Sequence, residues 1–80
     1  MWNLVSFVKR GKIRTNALKL LSSPKSPTEV AKEIGAHREA VSRAIIALEK
    51  KRLVKCLTPK EKAYRLYGLT AKGGKVLKYL

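Results

Sequence analysis

A mainly helical fold closed by a small β-hairpin wing, in the order α-α-α-α-β-β-α, is the architecture that this 80-residue sequence predicts. Three features predict it. Ser26-Pro27-Thr28-Glu29 has the form of a helix start: a serine able to cap, a proline at the first helical position and a glutamate three residues after the cap. The turn Gly35-Ala36-His37 separates that short helix from a longer one, Arg38 to Lys51, in which Val41, Ala44, Ile45 and Leu48 repeat at i, i+3, i+4 and i+7. Two apolar runs then flank the turn Thr58-Pro59-Lys60-Glu61-Lys62. A chain of this length makes one domain, residues 1–80, with a single modest core.

Trp2, Leu4, Val5 and Val8 suit a short first helix ending near Gly11, whose low helix propensity marks a break. A second helix is expected from Lys12 to Leu21, with Ile13, Ala17, Leu18 and Leu21 on one buried stripe. Ser22 to Ser26 reads as a loop, because serine and proline interrupt the helical ladder. The capped third helix turns Val30, Ala31 and Ile34 inward and stops at Gly35, a residue suited to the left-handed conformation past a helix end. After the fourth helix, Leu53 to Leu57 and Tyr64 to Leu69 are expected as paired strands, with Tyr67 mainly in the core. Thr70 is placed to cap a last helix, Ala71 to Leu80, whose first turns Gly73-Gly74 weakens.

Composition narrows the function. Nineteen Lys and Arg stand against five Glu and no Asp, a formal net charge of +14 that points to a polyanionic partner. The cations run from Lys9 to Lys78, so they belong to the folded body and not to a tail. No run reaches the roughly 18 apolar residues of a membrane span, and Trp2 to Val8 is too short and poorly flanked for a secretory signal. A cytoplasmic protein is expected. Cys56 is the single cysteine, so no internal disulfide is possible. It reads as a small apolar strand residue, with a redox-sensing or intermolecularly paired thiol as the other reading, since Lys55 and Lys60 favour a thiolate. One Cys, one His and scattered Glu make no metal cluster, and no cofactor is expected. Enzymatic acid–base or nucleophilic chemistry lacks its partners, there being no Asp and no Gly-rich phosphate loop.

A short capped helix, a glycine turn and a longer amphipathic helix form a helix-turn-helix, and the basic hairpin that follows makes it winged. The fourth helix, about 20 Å long at 1.5 Å per residue, is long enough to lie in the major groove of duplex DNA. Removing its buried stripe leaves Arg38, Glu39, Ser42, Arg43 and Ile46 facing outward near its start. Arg can bond guanine bidentately, Glu accepts from the cytosine amino group, Ser serves either kind of base, and an apolar chain touches the thymine methyl. Solvated surface is the plainer alternative, above all for Glu39, which also suits the positive end of the helix dipole. Ile46 is open among a DNA contact, a subunit contact and a core edge; His37, in the turn, can donate to phosphate or cap the helix. Lys60, Lys62 and Arg65, the last on the returning strand, belong to a wing spanning residues 58–65 that contacts backbone phosphate or an adjacent minor groove, with Ser26 and Thr28 as further backbone contacts.

The runs Ser26-Pro27-Thr28-Glu29-Val30-Ala31, Val41-Ser42-Arg43-Ala44-Ile45 to Leu48-Glu49, Leu53-Val54 and Tyr67-Gly68-Leu69-Thr70-Ala71-Lys72-Gly73 resemble small prokaryotic winged-helix regulators of the MarR and ArsR families over about residues 12–80. The lysine-rich, minimal form is similar to archaeal versions of that fold. The resemblance implies transcriptional regulation by a nucleoid-associated homodimer. It places the reading residues between Arg38 and Ile46, the wing contacts between Lys60 and Arg65, and the dimer interface at Trp2, Leu4, Val5, Val8, Val76, Leu77 and Leu80. The sequence has no counterpart of the long terminal helices and ligand cleft of the larger MarR-like proteins, or of the metal-sensing Cys and His clusters of ArsR-like ones, so no small-molecule effector is implied. A sequence-tolerant chromatin or architectural binder of DNA or RNA uses the same cations without base readout, and winged helices also serve as protein-docking modules.

Overall fold

Local signals in the chain resolve into five helices and two short strands over residues 2–80, which the computed structural model describes. They are α1 (Trp2–Lys9), α2 (Lys12–Leu20), α3 (Pro27–Ile34), α4 (Arg38–Lys50), β1 (Val54–Cys56), β2 (Tyr67–Leu69) and α5 (Ala71–Leu77). The order is the expected one, and the fold is a winged helix-turn-helix. At the start of α3, Glu29 N donates to Ser26 Oγ at 3.2 Å and Ser26 N donates to Glu29 Oε1 at 3.2 Å, so both halves of the capping box form. Gly35 ends the helix at φ +76°, and Gly35 N and Ala36 N both donate to Ala31 O, at 2.9 and 3.1 Å.

The core lies where α2, α3 and α4 meet. Leu18, Leu21, Val30, Val41, Ile45 and Leu48 are fully or almost fully buried there, together with Val5 and Val8 of α1 and Val76 of α5. Each such side chain stabilises the fold by roughly 1.5–3 kcal/mol. β1 and β2 pair antiparallel in the register Val54↔Leu69, Lys55↔Gly68, Cys56↔Tyr67. Cys56 sits partly buried against the core.

The segment read as a simple loop before α3 does more. Lys25 N donates to Tyr67 O at 3.1 Å and Tyr67 N to Lys25 O at 2.9 Å, a bridge on the free edge of β2, and Leu69 N donates to Leu21 O at 3.2 Å. These bonds tie the root of the hairpin to the chain that leads into α3.

Several expected boundaries move. Both strands are three residues long, shorter than expected. Leu53 belongs to the turn after α4: Arg52 stands at φ +61° and Leu53 N donates back to Leu48 O at 3.0 Å. Tyr64 at φ +54° cannot continue an extended strand, so the return begins at Tyr67 and leaves Arg65 in the wing loop. α2 and α5 end at Leu20 and Leu77, short of Leu21 and Leu80. Gly73, expected as a weak point, is a close approach: a Cβ there would lie 1.9 Å from Leu53 O, so only glycine lets α5 pack on that turn.

Candidate nucleic-acid interface

At about 100° per residue, the buried stripe of α4 covers one side, and the opposite side turns Arg38, Ser42, Ile46, Glu39, Arg43 and Ala47 outward in that angular order. Arg38, Glu39, Arg43 and Ile46 are exposed and Ser42 is half-buried. Arg38, Glu39, Ser42 and Arg43 together line a shallow concavity on the first turns of the helix. Ile46 is 47% exposed, which removes the core-edge alternative. His37 occupies the N-cap position, but its side chain makes no capping hydrogen bond and is exposed to solvent.

On one flank of this face lies a cleft of about 540 Å³ between α3, α4 and the wing loop. Pro27 and Thr28 of α3, Arg38, Ser42 and Ile46 of α4, and Lys62, Ala63, Tyr64 and Arg65 of the wing line it. The wing therefore folds over the start of the fourth helix. Leu66 N donates to Thr58 Oγ1 at 3.0 Å and Leu57 N donates to Leu66 O at 2.7 Å, closing the base of the loop. Arg65 Nη2 reaches Pro59 O at 3.4 Å across it. Lys60 stands exposed at the tip and outside the cleft.

The cleft is electrostatically unbalanced. Among the described residues the ion pair formed is Lys25 with Glu33, Nζ to Oε2 at 3.9 Å. Among those residues, too, Arg38, Arg43, Lys62 and Arg65 have no carboxylate partner, and Glu39 is the single acid lining the cleft or the concavity at the helix start, Glu49 standing farther along α4. At the cleft floor, burial pushes the Tyr67 phenol above its ordinary value, the negative potential of Glu49 and Cys56 adds to the shift, and Arg65 opposes it.

Two groups of expected contacts are corrected. Ser26 is 3% exposed and its hydroxyl oxygen holds the α3 cap, so its role is first of all structural, at the edge of the cleft it helps to line. Val5, Val8 and Val76, expected at a dimer interface, face the chain's own core, because the apolar stripes of α1 and α5 pack inward on α2. Trp2 remains 68% exposed, beside half-buried Leu4, Leu77 and Leu80. Two residues missed in the sequence join these surfaces. Tyr64, expected inside a strand, is 83% exposed on the wing, and Tyr79, also exposed, places its ring centroid 5.3 Å from that of Trp2. The local sequence around Tyr64 carries no glycine or asparagine to signal a left-handed residue.

No protein-family model matches the sequence, and no curated protein is significantly similar to it. Solved structures are similar in fold. Lactococcus lactis ZitR, a C30AH42A mutant in apo form, superposes with a TM-score of 0.77 at 21% identity, covering 96% of this chain and 61% of that one. The transcriptional regulator BldR from Sulfolobus solfataricus gives 0.75 at 28% identity, over 84% of this chain and 50% of that one. MepR of S. aureus, in a structure of its complex with DNA, gives 0.75 at 20% identity over 86% of this chain and 60% of that one. Over most of its length, then, the chain has the fold of MarR-type winged-helix regulators, and it spans about half to three-fifths of the length of those proteins. No helix among the described residues is long and apolar enough to cross a membrane.

Proposed function

We propose that residues 1–80 act as one DNA-binding domain that reads duplex DNA sequence-specifically and regulates transcription, on the nucleoid in the cytoplasm. The observation that carries this reading is the outward face of α4 over its first turns, bare of acid except Glu39 and overhung by a wing whose cations form no ion pair among the described residues. With α4 in the major groove, Arg38 and Arg43 reach guanine edges, Glu39 a cytosine amino group, Ser42 either kind of base and Ile46 a thymine methyl. His37, Thr28, Lys60, Lys62 and Arg65 contact the flanking backbone and set the register without reading sequence. The fold shared with BldR, a transcriptional regulator, and with MepR, crystallised with DNA, supports the same use of these elements.

The exposed Trp2 and Tyr79 pair, with Leu4, Leu77 and Leu80 beside it, is the surface through which two copies associate. A symmetric dimer then spans two half-sites about 34 Å apart. Sedimentation showing a monomer both free and on DNA would remove the two-half-site arrangement.

The reading is tested by two substitutions that act differently. Arg43→Ala reduces discrimination between a preferred duplex and its point variants by roughly 1–3 kcal/mol. Lys62→Ala weakens binding to all duplexes alike and lowers the slope of log K against log salt by about one for each bound protomer. Wild-type levels of binding and discrimination in both variants contradict a helix seated in the groove.

A further inference from the structure

A second groove borders α4 on the flank away from the wing. Arg10, Lys12 and Arg14, from the corner between α1 and α2, face Arg43 and Ala47 across about 440 Å³ of open space. Four cations line it and no acid does. None of them forms an ion pair among the described residues. Arg14 is held in place: its guanidinium carbon lies 4.2 Å from the centre of the Phe7 ring, and its Nη1 donates to Phe7 O at 2.9 Å. Gly11 makes room for that posture, since a Cβ there would meet Arg14 Cγ and Cδ at 3.0 Å. The charge is thus fixed before any ligand arrives, which lowers the ordering cost of binding one.

The angular positions on α4 say what the groove faces. Ser42, Ile46 and Arg38 border the wing cleft, whereas Arg43 and Ala47 border this groove, so the two lie at opposite edges of the helix's exposed face. A helix with its side chains is about 10–12 Å across, close to the roughly 12 Å width of the major groove. A helix that fills the groove brings each edge of its exposed face against one of the two phosphate backbones that wall it.

Resting on the DNA-binding reading above, we infer that the groove of Arg10, Lys12, Arg14 and Arg43 seats the sugar-phosphate backbone of the second strand, across the major groove from the strand held by the wing. Arg43 is shared. It stands between base edges and phosphate, while Arg10 and Lys12, both exposed, close the outer lip and Arg14 supplies the fixed floor charge.

The test compares the wild-type chain, the double variant Arg10→Ala with Lys12→Ala, and a control of equal charge, Lys72→Ala with Lys75→Ala on the exposed side of α5. Each is titrated with a duplex of about three helical turns, roughly 30 bp, at several salt concentrations, and phosphate contacts are mapped by ethylation interference. Circular dichroism and thermal unfolding verify that the variants remain folded. The inference predicts a slope of log K against log salt lower by about 1.8 for each bound protomer of the groove variant, at about 0.9 per lost phosphate contact. It also predicts loss of interference on one strand only within each half-site, with an unchanged slope in the control. If the wild type binds duplex and the groove variant keeps its slope and both strands' interference, the groove is not a backbone seat and the DNA-binding reading survives. An equal loss in the α5 control assigns the effect to net charge and overturns the inference. A wild type that binds no duplex overturns both.

Discussion

Replacing each of two adjacent glycines of α5 by alanine is expected to shift stability in opposite directions. In an exposed helix interior the change gains about 1 kcal/mol from propensity alone. Gly74 has nothing within 4 Å of the point where a methyl would stand, so Gly74→Ala stabilises by about 0.5–1 kcal/mol. At Gly73 the same methyl would lie 1.9 Å from Leu53 O and 2.9 Å from Leu53 C. Ordinary contact requires more than 3 Å, so α5 must move by over 1 Å, and the obstacle is backbone that cannot rotate away. Leu53 is fully buried and its carbonyl accepts from Thr70 N at 3.1 Å. Thr70 also caps α5, its Oγ1 accepting from Gly73 N at 3.0 Å while donating to Arg52 O at 2.6 Å. Displacement therefore strains the packing, at about 1–3 kcal/mol, and weakens a cap typically contributing about 1 kcal/mol. Set against the propensity gain, Gly73→Ala is destabilising by about 1–3 kcal/mol. Urea unfolding followed by circular dichroism measures both variants. Equal stabilisation by the two substitutions would refute the close approach of α5 to the turn after α4.

Ser26→Ala removes half of the capping box and is expected to cost about 1 kcal/mol, with no change in the salt dependence of DNA binding, because the hydroxyl faces the helix end; a reduced salt slope would restore it as a phosphate contact. For Tyr67, the folded phenol titrates above its unfolded value of about 10, so folding favours the protonated form. That contribution is intact below about pH 10 and is lost as pH rises through the folded value. Unfolding free energies of wild type and Tyr67→Phe, compared above that pH, should diverge, with the wild type losing more; parallel curves would contradict the burial-driven shift.

The helix-turn-helix was legible because its signals are local. A capping box, a left-handed glycine and a four-residue apolar stripe each act within a few positions, and α3 and α4 form where those signals place them. The wing was less legible because its shape depends on contacts distant in sequence. The Lys25–Tyr67 bridge and the Thr58–Leu66 bond decide where strand pairing begins, and neither follows from local periodicity. Gly73 looked like a helix breaker because sequence carries its propensity but not the Leu53 carbonyl beside it. For the same reason the apolar residues of α1 and α5 divided differently from expectation. Their stripe identifies Val5, Val8 and Val76 as buried, but not whether a second copy or the chain's own α2 buries them. On α4 the outward set Arg38, Glu39, Arg43 and Ile46 was readable from spacing alone, whereas the groove at Arg10 to Arg14 required the fold to bring a second corner of the chain beside it.

The central claim, that the start of α4 reads base edges in the major groove, is tested most directly by selecting bound fragments from a randomised duplex pool with the wild type and with Arg43→Ala. The account predicts an enriched motif for the wild type and, for the variant, the same motif with its preference relaxed at one position. Tight binding with no enriched motif, or an identical motif in both, would contradict it.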